Sequence, residues 1–137
     1  MSFKTLCLAG ATITLILSGV LMVHPPLLLS LFDLDGGTSI EVMTRRASVL
    51  LLGIAVTLWL ARDAAPSPLR RAVAVGTAVT MLGLATLGTV EILRGSVGPG
   101  VILAIGTEIV LGAGFLWSTA EDRSASSRVA TPRSRRV

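Results

Sequence analysis

TSIEVMTRRASVLLLGIAVTLWLA, residues 38 to 61, is the stretch whose reading decides the fold. Beyond its first two turns it is an almost unbroken apolar run. At about 1.5 Å of helix per residue it can cross the roughly 30 Å hydrocarbon core of a bilayer. Two adjacent arginines, Arg45 and Arg46, sit about two turns inside its start. An arginine that deep in an apolar span is costly and asks for a partner. The search for that partner sorts the remaining polar residues.

Composition agrees with a bilayer setting. Of 137 residues, 52% are hydrophobic and only 15% charged, and the mean hydropathy is +0.80. Charged residues make up about a quarter of an ordinary soluble domain. At roughly 20 residues per span there is room for about four spans and no separate soluble domain. The single cysteine, Cys7, excludes an internal disulfide, a CxxC redox pair and a cysteine zinc site. The single histidine, His24, excludes a haem held by two histidines of one chain. Tyrosine is absent and aromatics are 4%, which gives little support to aromatic cages or base-stacking platforms. No cofactor, metal site or nucleic-acid partner is expected, and no nucleophile–base pair marks a catalytic centre.

Towards the N-terminus, Lys4 precedes the run TLCLAGATITLILSGVLMV. A signal peptide would need an A-x-A-like site after a shorter core, and the run ends instead in VLMVHPP. Cys7 lies before the apolar core, where a lipid-attachment cysteine would follow it. A retained first span over about 4–23 is expected. Gly10, Thr14 and Ser18 recur every four residues and form a packing seam suited to lipid. His24-Pro25-Pro26 ends this span. The next segment, LLLSLFDL, is too short to cross and reads as an interfacial or re-entrant helix. Asp35-Gly36-Gly37 makes a turn. Asp33, Asp35 and Gly36 imitate the start of a calcium loop, but its other ligand positions and closing Glu are missing. Thr38-Ser39-Ile40-Glu41 matches a capping box, with Thr38 as cap and Glu41 reaching back to it. The second span then covers about 39–61 and contains both arginines.

Towards the C-terminus, RDAAPSPLRR is a polar loop in which Ser67-Pro68 starts a helix. The third span covers about 68–93. Gly76, Thr80 and Gly83 share a face that continues towards Glu91. A Gly-rich connection follows, and Pro99 opens a fourth span over about 99–117, with Ala104, Glu108 and Gly112 on one face. Residues 120–137, rich in Ser and Arg, are expected to form a disordered basic tail. The fold class is all-α: a four-transmembrane-helix bundle with a short interfacial helix between the first two spans.

Lys4, Arg62, Arg70, Arg71, Arg123, Arg128, Arg133, Arg135 and Arg136 fall on one side of such a bundle, and Arg45, Arg46 and Arg94 on the other. Nine against three predicts cytoplasmic termini. Trp59 and Trp117 then share the cytoplasmic interface. The tail would lie over anionic lipids, gaining about 1 kcal/mol per arginine near the surface.

Glu41 precedes Arg45 by four residues, the better order for a helix-surface pair, and Glu91 precedes Arg94 by three. Arg46 and Glu108 remain. They lie roughly 10 Å and roughly 13–14 Å along spans running in the same direction. The expectation is an Arg46–Glu108 pair joining the second and fourth spans, with Arg45 and Glu91 completing a polar cluster. That cluster is a structural staple, or a polar pocket for a small ligand, lipid headgroup or proton, or a set of independent residues that snorkel or sit in a dimer interface.

The order PPLLLSLFDL, MTRRASVLLLGIAVTLWLAR, PLRRAVAVG and TVEILRG, followed by a Gly-rich fourth span, resembles small four-helix bacterial inner-membrane proteins of unknown function, broadly DoxX-like. The likeness covers Leu6 to Trp117. Ala47-Ser48 departs from it, since Gly commonly follows the arginine in such proteins. The resemblance implies a bacterial inner-membrane bundle and little about activity. The leading expectation is a non-enzymatic accessory or interaction subunit, as a homo-oligomer or within a larger membrane complex. A small proton- or ion-coupled transporter using Glu108 is the alternative. A quinone-linked enzyme is hard to assemble from one Cys and one His.

Overall fold

The computed structural model describes residues 2–34 and 37–129. Helices α1 (Phe3–Val23), α2 (Pro25–Leu31), α3 (Thr38–Ala61), α4 (Pro68–Leu93) and α5 (Val101–Val129) follow in order, with no strand among the described residues. Four of them are long and apolar enough to cross a membrane, α5 through Val101–Ala120. The molecule is a four-span helical bundle with a short helix between the first two spans. Its outer surface is apolar: Leu60 is 75% and Leu103 76% exposed, as side chains facing hydrocarbon would be.

The termini explain themselves locally. Ser2 caps α1 by accepting the Thr5 amide on its hydroxyl at 3.2 Å. Ser67 caps α4 through the Arg70 amide at 3.2 Å, with Pro68 in the first turn, as the Ser-Pro sequence predicts. The capping box at α3 does not form. Thr38 is already helical, the cap is the extended Gly37, and no side chain bonds to it. The Glu41 carboxylate is engaged with Arg45 instead. Helix α5 starts at Val101 rather than Pro99, because Gly98-Pro99-Gly100 forms the preceding turn. It also runs past Trp117 to Val129, so 120–129 is helical where a disordered tail was expected. No Gly or Pro interrupts 115–131, and an established helix propagates far more easily than it nucleates. Residues 130–137 of the expected tail lie outside the described residues.

Helix α1 packs along α3, and α4 along α5; α1 meets α5 and α3 meets α4 over shorter stretches. The parallel helices α3 and α5 are therefore diagonal. The α1–α3 seam is the expected small-residue stripe. A Cβ on Gly10 would stand 2.9 Å from Leu58 Cδ1, so the glycine sets this close approach. The buried Ser18 hydroxyl donates to the Ser48 carbonyl at 2.8 Å, an interhelical bond of about 0.6–2 kcal/mol in a membrane. The core lies at one end, where Phe3, Leu6, Cys7, Leu58, Ala78 and Phe115 are buried together. Phe3 meets Phe115 edge to face at 6.1 Å between ring centres. At the other end α2 covers the bundle.

Candidate functional site

The expected polar cluster separates into pieces. Glu41 and Arg45 pair at 3.7 Å on the α3 surface, and Glu91 and Arg94 at 3.3 Å at the end of α4. Among the described residues Arg46 and Glu108 form no ion pair with each other or with any other group. The Arg46–Glu108 bridge is thus not made, for two physical reasons. Helices α3 and α5 are diagonal, so a similar depth does not bring them together. Ser48 is fully buried in the α1 seam, and Arg46, two residues earlier, is turned roughly 200° away from it. It is exposed on the outer face of α3.

Glu108 instead lines a cavity of about 300 Å³ in the half of the bundle next to α2. Helix α1 contributes Ile13, Thr14 and Leu17; α2 and its following turn contribute Leu28, Leu31 and Phe32. Leu51 of α3 and Met81 and Leu84 of α4 close the sides, and α5 presents Leu103, Ala104, Thr107, Glu108 and Leu111. Among the described residues Glu108 is the only charged one in this wall. Thr14 and Thr107 are its side-chain hydroxyls, and each donates its proton within its own helix, to Gly10 O at 2.8 Å and Leu103 O at 2.9 Å.

Sequence reasoning missed what holds α2 over this cavity. Asp33, at φ 54°, turns the chain out of α2, a left-handed position that Asp tolerates better than most residues. The Phe32 carbonyl then accepts the Gly98 amide at 2.7 Å. A Cβ on Gly100 would overlap the Leu31 carbonyl oxygen, so only glycine lets the α4–α5 turn rest on α2. The signal was present as Gly98-Pro99-Gly100, read only as a connection.

A second polar group, also unanticipated, lies at the packed end. Lys4 bonds Asp63 at 2.7 Å, and Arg62 approaches the same carboxylate at 3.2 Å. Arg62 also lies 4.2 Å over the Trp59 ring and donates to the Trp59 carbonyl at 2.6 Å. Arg70 stacks 4.3 Å over Phe3 and donates to the Ala64 carbonyl at 3.2 Å. The hydrogen bond from Lys4, with the positive charges of Lys4 and Arg62, holds the Asp63 carboxyl below its usual range. This group ties the start of α1 to the α3–α4 loop. Between α3 and α4 runs a cleft of about 350 Å³ lined by Gly53, Thr57, Gly76 and Thr80. The small-residue face expected on α4 therefore borders open space rather than a neighbouring helix.

Comparison with family models, curated proteins and solved structures finds no match. The DoxX-like resemblance rests on the quoted motifs alone.

Proposed function

We propose that this membrane bundle is a binding module rather than an enzyme, and that it holds an elongated, largely apolar molecule in the cavity beneath α2. The observation that carries this reading is the wall itself: leucine, isoleucine and phenylalanine from five helices around a single carboxylate. A mostly apolar concavity with few convergent polar groups is the usual form of a small-molecule site. The role fits an accessory subunit that carries or senses such a molecule. The test is native mass spectrometry of the full chain from mild detergent, beside Ala104→Phe, which fills the wall from α5. A bound mass of one molecule per chain in the wild type, absent from the variant, is expected. Equal spectra with no retained mass overturn the reading.

The interaction-subunit reading has its own support in the α3–α4 cleft, where glycines and threonines line a groove that no helix of this chain fills. Stoichiometric partners extracted with the chain favour it, and a lone particle counts against it. For orientation we retain cytoplasmic termini and the bacterial inner membrane. The Lys4, Arg62, Arg70 and Arg71 end then faces anionic headgroups.

A further inference from the structure

Resting on that binding reading, we infer that the cavity is loaded sideways from the bilayer, through a gap between α1 and α5, by a neutral lipophile whose carbonyl head accepts a hydrogen bond from Glu108. The gap follows from how the two halves of the bundle meet. Helices α1 and α5 share only a short seam. Its close contacts lie at the packed end, where Phe3 meets Phe115 and a Cβ added to Gly114 would stand 2.6 Å from Leu6 Cδ2. Towards α2 the seam gives way to the cavity, which is open along its side. Ile13, Ile16 and Leu17 line it from α1, and Leu103 and Thr107 from α5. Ile16 is 61% and Leu103 76% exposed, so the lips of the opening lie in hydrocarbon. The end of the cavity is closed. There α2 is held by the Gly98–Phe32 bond at 2.7 Å and by the approach of Gly100 to Leu31.

An entrance in hydrocarbon selects what dissolves there. Glu108 lies eight residues from Gly100, about 12 Å along the chain axis from the α2 end. A phospholipid would have to bring its charged headgroup down to that depth, at a large cost in desolvation. The wall offers nothing to offset it: among the described residues it holds no cation, and Glu108 is its one ionisable group. By the same reasoning a carboxyl with no cation beside it in this setting is cheaper neutral than charged. A neutral carboxyl has one O–H to donate. Thr14 and Thr107 already give their protons to Gly10 O and Leu103 O. The Glu108 O–H is then the one side-chain donor left in the wall. The occupant that fits carries no charge and brings an acceptor, a ketone or ester carbonyl, on an apolar body.

The experiment uses the full chain in nanodiscs of zwitterionic lipid and methyl tridecyl ketone carrying a diazirine in mid-chain. Photolysis and peptide mass spectrometry locate the label, expected on residues 13–17 of α1 and 103–111 of α5. Unmodified ketone and methyl myristate compete it away; pentadecane and tetradecyltrimethylammonium do not. Glu108→Leu lowers the yield about threefold to tenfold, the size of one lost hydrogen bond, and the neutral donor of Glu108→Gln restores most of it. For the route, Ile16→Cys with Leu103→Cys is bridged across the gap by a reducible bis-thiosulfonate, while the buried Cys7 stays out of the reaction. Bridging lowers labelling by freshly added ketone severalfold, and reduction restores it. Equal labelling with the bridge in place overturns side entry. If pentadecane competes as well as the ketone, or Glu108→Gln is as weak as Glu108→Leu, the carbonyl contact is wrong and the cavity still binds. Competition by the ammonium overturns the choice of a neutral head. If none of the cavity wall is labelled, the binding reading falls with it. The competition series uses wild-type protein, so it decides the occupant even if the Glu108 variants do not fold.

Discussion

Gly100→Ala tests how firmly α2 is seated. The new Cβ would overlap the Leu31 carbonyl oxygen and lie 3.1 Å from Leu31 Cγ. The first of these is backbone and cannot rotate aside, so α2 must move outward. Overpacking of this kind costs about 1–3 kcal/mol. An outward shift of α2 would also break the 2.7 Å bond from the Gly98 amide to Phe32, adding about 0.5–1.5 kcal/mol. The total is about 1.5–4.5 kcal/mol on those two scales. Gly106 lies six residues further along the chain, inside α5, where an added Cβ would meet nothing within 4 Å, and Gly106→Ala should cost nothing measurable. Thermal unfolding in mild detergent, followed by circular dichroism, compares the two. A melt lowered by several degrees in Gly100→Ala alone is the expected result. Matching melts for both variants would refute the idea that glycine is needed for α2 to dock.

Three other outcomes follow from the geometry. Arg46→Ala and Glu108→Gln, measured singly and together, should have additive effects on thermal stability within about 0.5 kcal/mol, because the two residues are not in contact; a coupling of about 1 kcal/mol would restore the bridge between α3 and α5. Ser18→Ala should cost about 0.6–2 kcal/mol by removing the bond to the Ser48 carbonyl, and an unchanged melt would show that this seam is held by packing alone. Asp63 has a folded-state pKa lowered from 3.8, so its contribution is complete above that value and fades as pH falls through the lower folded value. Carboxyl chemical shifts should place its midpoint below 3.8, and Lys4→Ala should return it upward.

The spans, the short helix opened by Pro25-Pro26 and the Gly10–Thr14–Ser18 seam were all legible because hydropathy, proline and small-residue spacing are local signals. The partner of Arg46 was not, because pairing depends on which helices are neighbours. Depth along the chain makes Arg46 and Glu108 look matched. Sequential antiparallel packing puts their helices on a diagonal. One residue could have corrected the reading. Ser48 continues the small positions of α3 to Ala55, and both are buried, which turns Arg46 outward. Glu108 stood out as the acid with no local partner and was assigned to Arg46, but its surroundings come from five separate segments and no local pattern carries them. The seat of α2 depends on glycines more than sixty residues away in sequence, where only a tight turn could be read.

The pairing of α1 with α3 and of α4 with α5 bears on how the chain is made. Each pair joins successive spans, so each hairpin can assemble as it leaves the ribosome, before the other half has been synthesised. The second hairpin then has only short seams through which to recognise the first, and its most definite anchor is the glycine turn that meets α2. The same slack offers a hazard. Two chains inserted side by side could exchange C-terminal hairpins while keeping every seam, and the only segment that would have to change course is the loop from Arg62 to Ser67.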